Sequence, residues 1–288
     1  MKLALGTVQF GLPYGVANTE GKTPESEVRE ILLHARGCGI DTLDTAMSYG
    51  DSEAVLGRAK ISGWHAVSKV GAAPEGCTDI QAWMESMVRA SLTRMGIPQL
   101  HGLLLHQPQD LLTPGGDTIF AALNHLRRIG LTNTIGISIY DPSELDALIP
   151  RYDFGIVQAP FSIFDRRMIT SGWMSRLAQT GVEIHVRSIF LQGLLLMPDA
   201  TRPEKFSRWA PLWSAWRSWL EDNRLTPLEA CVRFSMGFPE IERVIVGVDS
   251  LRQLKDICAA AEGALPPVAD NLFAEDPDLL NPSLWSRI

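Results

Sequence analysis

The chain has 288 residues, enough for one large α/β barrel or two ordinary domains, and 45% hydrophobic with 20% charged residues is the composition of a globular protein with a sizeable core. That balance argues against a disordered chain. A formal charge of −7 and a pI near 5.4 argue against the basic footprint of a nucleic-acid binder and against attraction to anionic membrane.

The opening MKLALGTVQFG is interrupted by Gln9, Gly11 and Pro13 before the apolar core of a signal peptide could form. No run approaches the roughly 18 apolar residues of a membrane span, so the expected location is the cytoplasm. From there, short apolar runs alternate with amphipathic stretches to the end, the pattern of successive βα units on a parallel sheet. Strands are predicted at Leu3–Leu5, Thr42–Asp44, His65–Val70, Leu100–Leu105, Thr134–Ile139, Phe154–Pro160, Glu183–Ile189 and Arg243–Val246. Helix starts are predicted at Thr23-Pro24, Asp141-Pro142-Ser143-Glu144 and Thr226-Pro227-Leu228-Glu229, where an oxygen-bearing cap precedes a proline. The last two add the glutamate of a capping box. Apolar residues at helical spacing, such as Val28, Ile31, Leu32 and Ala35, place these helices outside the sheet.

Residues 197–210 lack periodicity and are expected to form a long loop at the strand C-terminal face, where barrel enzymes keep their sites. Residues 265–288, with four prolines, read as a tail packed over the barrel or partly mobile. No composition break marks a second domain, so residues 1–288 are read as one (β/α)₈ TIM barrel. Cys38, Cys77, Cys231 and Cys258 show no CxxC or metal-finger spacing and suggest neither a disulfide framework nor a zinc site. No histidine pair has HxH spacing, which argues against a metal-dependent barrel hydrolase, and no metal is expected. A GxGxxG fingerprint is missing, which argues against a Rossmann domain.

The candidate chemistry lies where apolar strands end. Asp44 closes the second strand with Tyr49 five residues on, Lys69 stands among apolar neighbours in the third, and His106 closes the fourth. A lysine in such company needs a carboxylate partner. Four polar groups from three consecutive strands thus converge on one face.

Together with the opening LALGTVQFG, Asp44-Thr-Ala-Met-Ser-Tyr49-Gly50, Ser68-Lys69, Leu105-His106, Gly136-Ile-Ser138, Val157-Gln158 and Gln192-Gly193-Leu-Leu, these residues resemble the aldo-keto reductases, in order and spacing, from the first strand to the eighth. The resemblance implies an oxidoreductase that moves a hydride between a nicotinamide and a carbonyl or alcohol carbon. Tyr49 would exchange the proton, Lys69 held by Asp44 would favour the phenolate, and His106 would orient the carbonyl. On the cofactor side it implies Ser138 and Gln158 at the carboxamide, with Gly6, Thr7, Arg187, Ser188, Gly247, Ser250, Arg252 and Gln253 completing the set. Ile139 stands where the family usually has Asn, and Arg187-Ser188 where it commonly offers a stacking tyrosine; a guanidinium can stack instead. Arg252 could meet a 2′-phosphate, so NADP is the expected cofactor and NAD the alternative. Gln9, Phe10, Phe161 and Trp209 are expected to border a small carbonyl or sugar-like substrate, whereas Trp213 and Trp216 fit one helix face and read as core. A sugar 1-dehydrogenase using the same residues, and a non-catalytic nucleotide-sensing barrel, are the rival readings.

Overall fold

The computed structural model describes all residues, Met1–Ile288. The strands are β1 (Leu3–Gly6), β2 (Thr42–Asp44), β3 (His65–Val70), β4 (Leu100–Leu105), β5 (Thr132–Ser138), β6 (Ile156–Pro160), β7 (Glu183–Arg187) and β8 (Ile241–Gly247). Each pairs in parallel with the next and β8 closes on β1, giving the expected (β/α)₈ barrel. β2, β3 and β4 fall where the sequence puts them. β5 and β8 start two residues earlier, and β7 stops at Arg187 rather than Ile189 because Ser188 turns to a φ of +63° and ends the extended backbone.

The period of two along a strand sets the layers. Side chains facing the helices, such as Leu3, Leu5, Ile135, Ile137, Ile184 and Val186, join the main core. Inside the barrel, Val67, Leu104 and Ile156 form a separate apolar plug. Gly136 lies against it so closely that a Cβ there would come within 2.1 Å of the Ile156 carbonyl oxygen. Two residues beyond each plug position, on the same face, stand Lys69, His106, Ser138 and Gln158. The pleat itself therefore stacks a polar layer on a dry floor at the strand C-termini.

Helix starts follow the caps unevenly. Thr226 and Glu229 form the expected capping box, with bonds of 3.2 and 2.9 Å. Glu144 Oε1 accepts from the backbone of Tyr140 and Asp141 at 2.7 and 2.8 Å, and the helix proper begins at Glu144. Thr23 is not a cap: its hydroxyl donates to the Asp249 carbonyl at 3.3 Å, and the helix Glu25–Gly37 starts without a side-chain cap.

Residues 197–210 follow β7 and contain two short 3₁₀ turns, Asp199–Thr201 and Glu204–Trp209. The C-terminal segment is packed, burying Leu272, Leu279, Leu280 and Trp285. No helix is long and apolar enough to cross a membrane.

Candidate active site

Lys69 organises the mouth of the barrel. It is 1% exposed, and its Nζ donates to Asp44 Oδ2 at 2.6 Å and to the Thr45 carbonyl at 3.0 Å. Tyr49 Oη stands 3.5 Å from the same nitrogen, at the outer edge of hydrogen-bond range. Asp44 Oδ1 accepts from Gln158 Nε2 at 2.7 Å, and Gln158 Oε1 accepts from Ser138 Oγ at 3.2 Å. One chain of contacts thus runs from β5 through β6 and β2 to β3 and ends on a phenol. Burial opposes the charge on Lys69, but Asp44 and Tyr49 outweigh it and hold its pKa above the ordinary lysine value.

Tyr49 reaches this position through a close backbone contact. A Cβ on Gly11 would sit 1.8 Å from the Tyr49 carbonyl oxygen, and Gly50, at φ +55°, abuts Gly11 in turn. Only glycines allow the turn after β2 to press on the turn after β1. A buried Glu53 fixes the other side of β3: it accepts from Ser68 Oγ at 2.9 Å, Ser91 Oγ at 2.6 Å and Arg94 Nε at 2.9 Å.

His106 is the first residue beyond β4, its ring edge-on to Tyr49 with centroids 6.1 Å apart. Burial first, then the cations Lys69 and Arg187, lower its pKa to about 4, so the imidazole is neutral at pH 7. Its Nδ1 lies 3.4 Å from Ser48 Oγ. With the serine donating there, the proton resides on Nε2, the nitrogen left for a ligand.

These groups line one end of a cleft of about 870 Å³, within the usual range for ligand sites. Asp44, Tyr49, Lys69, His106, Ser138, Gln158 and Arg187 border it, as do Gly6, Thr7, Gln9, Ser188, Gly247 and Gln253. Five expected residues do not. Phe10 is fully buried, and so is Phe161, which stacks on Phe234 at 5.3 Å and meets Phe238 edge-on. Trp209 is pinned to the C-terminal segment by a 3.1 Å bond from its indole nitrogen to Asp276. Ser250 spends its hydroxyl on the Gln253 backbone amide, and the Arg252 side chain is 91% exposed beside Asp256.

Three features of the cleft escaped the sequence. Arg187 is bonded to the Ile139 carbonyl at 3.0 Å and lies over the Tyr140 ring at 4.6 Å, so its planar face already has a partner. The loop after β1 is bonded to two others at the cleft, to the loop after β7 through Gln192 Nε2 to Tyr14 Oη at 3.0 Å and to the loop after β8 through Asn18 Nδ2 to Asp249 Oδ1 at 2.9 Å. Tyr14 and Asn18 belong to no periodic element, so nothing in their spacing marks them.

The unspent polar atoms of the cleft bear on whether it suits a nicotinamide dinucleotide. Gln9 Oε1 is buried without a partner, against Gly247, where a Cβ would meet the amide at 2.5 Å. An unpaired acceptor in the wall suits a carboxamide N–H. The far end differs from expectation. The first amides of the helix Leu251–Ala260 are already taken, Leu251 N by Glu27 Oε1 at 2.7 Å and Gln253 N by Ser250 Oγ at 3.3 Å, and Asp249 and Asp256 line the wall nearby. The unpaired Gln9 acceptor fits a carboxamide, and carboxylates rather than free amides line the wall beside the helix Leu251–Ala260.

The sequence pattern of the Aldo/keto reductase family matches residues 2–268. The chain belongs to the aldo/keto reductase family. Members of that family are NAD(P)H-dependent oxidoreductases. Over 216 residues, 67% of this chain and 65% of the other, it is 27% identical to the NADH-specific methylglyoxal reductase of Escherichia coli (strain K12). An aldo-keto reductase of Mycolicibacterium vanbaalenii is 30% identical over 131 residues, 45% of this chain and 46% of that one. The matched regions thus span roughly half to just under two thirds of these relatives. In fold, an aldo-keto reductase from Bacillus halodurans superposes with a TM-score of 0.71 in its holo form, at 22% identity, over 94% of this chain and 89% of the other.

Proposed function

We propose that this aldo-keto reductase reduces a small aldehyde or ketone, with a nicotinamide cofactor lying across the strand C-terminal face and Tyr49 as proton donor. The observation that carries the reading is the phenol of Tyr49 within 3.5 Å of a fully buried ammonium, itself locked by Asp44, beside a neutral histidine. A bound reduced nicotinamide supplies the hydride. As charge develops on the carbonyl oxygen, Tyr49 gives up its proton and Lys69 stabilises the phenolate left behind. Asp44 keeps Lys69 charged and aimed. His106 donates from Nε2 to the carbonyl oxygen, a fixed dipole aimed where charge develops. In this reading the unpaired Gln9 Oε1, with Ser138 and Gln158 beside it in the cleft wall, would hold the carboxamide.

NADH is the cofactor this reading favours. The expectation of NADP leaned on Arg252, whose side chain stands in solvent, while Asp249, Asp256 and the Glu27 carboxylate gather where a 2′-phosphate would add charge. The name of the Escherichia coli relative points the same way and suggests a small oxo-aldehyde such as methylglyoxal as the first substrate to try.

The test is cofactor oxidation with NADH and with NADPH against a panel of aldehydes and ketones headed by methylglyoxal. Turnover with NADH at a kcat/KM at least about tenfold above NADPH, or about 1.4 kcal/mol, is expected. Preference for NADPH would contradict the cofactor assignment, and inertness with both would contradict the function.

A further inference from the structure

We propose that His34, Cys38 and Cys258 form a binding site for a thiophilic divalent cation, with Zn²⁺ as its chemical match, on the helix layer outside the barrel. His34 and Cys38 come from the last turn and C-cap of the helix Glu25–Gly37, and Cys258 from the helix Leu251–Ala260, which packs against it. A four-residue step puts the first two on one helix face, and the neighbouring helix presents the third. In sequence the cysteines are some 220 positions apart, so spacing gives no hint of the cluster.

One ligand atom from each of the three lies within 4.8 Å of the others. Cys38 Sγ and His34 Nε2 are 3.4 Å apart. Two such atoms on a tetrahedral zinc, at about 2.3 Å for sulfur and 2.0 Å for nitrogen, stand ~3.5 Å from each other. That pair is therefore already at the edge length of the coordination polyhedron, and Cys258 needs a movement of at most ~1.3 Å to complete three ligands. All three side chains are half-buried, which gives an ion a way in and leaves the fourth position to water.

A thiol–imidazole hydrogen bond would account for His34 and Cys38 alone. It does not call for a second sulfur. A divalent ion would stabilise the thiolates that ligate it. Bound there, the ion would add a cross-link between two helices already joined by side-chain packing and by the bond from Leu251 N to Glu27 Oε1.

The full-length protein, thiol-reduced and freed of metal by chelation, is titrated with Co²⁺ as the optical probe. One equivalent should produce thiolate-to-cobalt charge transfer and the visible bands of tetrahedral Co²⁺, and Zn²⁺ should abolish both. Cys38→Ser and Cys258→Ser should each lower the charge-transfer intensity. These changes and His34→Ala should weaken Zn²⁺ binding by at least the ~10- to 100-fold that loss of an outer-shell partner costs. Zn²⁺ should also raise the Tm of the wild type and leave that of the Cys38→Ser/Cys258→Ser variant unmoved. Absence of the charge-transfer band, its persistence in the double variant, or a Cys38–Cys258 disulfide in place of metal uptake would overturn the proposal.

Discussion

The buried ammonium of Lys69 is the residue on which the rest of the site is hung. Its removal would leave Asp44, 4% exposed, with only Gln158 as partner. Lys69→Met should therefore lower folding stability by about 3–5 kcal/mol, the cost of stranding one buried charge, measured as a shift in urea midpoint. Turnover should fall together with it, whereas an unchanged midpoint would mean that the ion pair is not buried as described. Asp44, Lys69 and His106 were legible in the sequence because a polar residue ending an apolar strand has one place to go, the mouth of the barrel. Phe161 was not, since one step along extended chain reverses the face, and neither were Phe10 in the short helix Val8–Gly11 and Trp209 in the 3₁₀ turn Glu204–Trp209, where packed neighbours decide what reaches the cleft. Phe161, one residue past β6, finds Phe234 and the outer core instead of the cleft.

At the scale of elements, the role proposed for Tyr49 depends on how the turn carrying it seats against the turn after β1. Gly11→Ala would place a carbon 1.8 Å from the Tyr49 carbonyl, a clash of backbone that no rotamer can relieve. The turn must move, and a displacement near 1 Å costs about 100-fold in rate. Gly11→Ala should thus lower kcat by roughly that factor while NADH affinity, read by fluorescence titration, changes far less. Equal losses in both would show that the junction shapes the whole cleft. The loop contacts make a second expectation: Asp249→Ala with Gln192→Ala removes the two bonds that tie the loop after β1 to its neighbours, each worth about 1 kcal/mol, and should speed cofactor release in stopped flow by about tenfold or more. Strands were legible as elements through their apolar runs, while these loop contacts arise only when distant segments are brought together by barrel closure.

For the molecule as a whole, acid is the condition that tests the electrostatics. The carboxylate of Glu183 is held well below the usual range by the imidazole of His101, 3.6 Å away, and then by that of His185 at 3.2 Å, so its contribution is present above its unfolded pKa, about 4.3, and is lost as pH falls through the lower folded value. His106 has its folded pKa lowered to about 4 from 6.5, so the stability of its neutral form is full above pH 6.5 and fades as pH falls toward 4. Urea midpoints should accordingly drop between pH 6.5 and 4, and His106→Gln should flatten that slope. A slope identical to wild type would place the imidazole in solvent. The barrel itself was legible from end to end because eight βα units repeat one pattern. The helix cluster of His34, Cys38 and Cys258 was invisible to spacing and exists only in the closed ring, where the last unit meets the first.

The claim on which the account turns is that the phenol of residue 49 delivers the proton, and Tyr49→Phe isolates it, because the ring, its packing against His106 and the cofactor groove all remain. Steady-state turnover of an aldehyde, set beside NADH affinity in the same preparation, is the decisive pair of readings. A fall in kcat of about 10²- to 10⁴-fold with NADH affinity within about twofold of wild type is expected. Wild-type turnover in the phenylalanine variant would contradict the account.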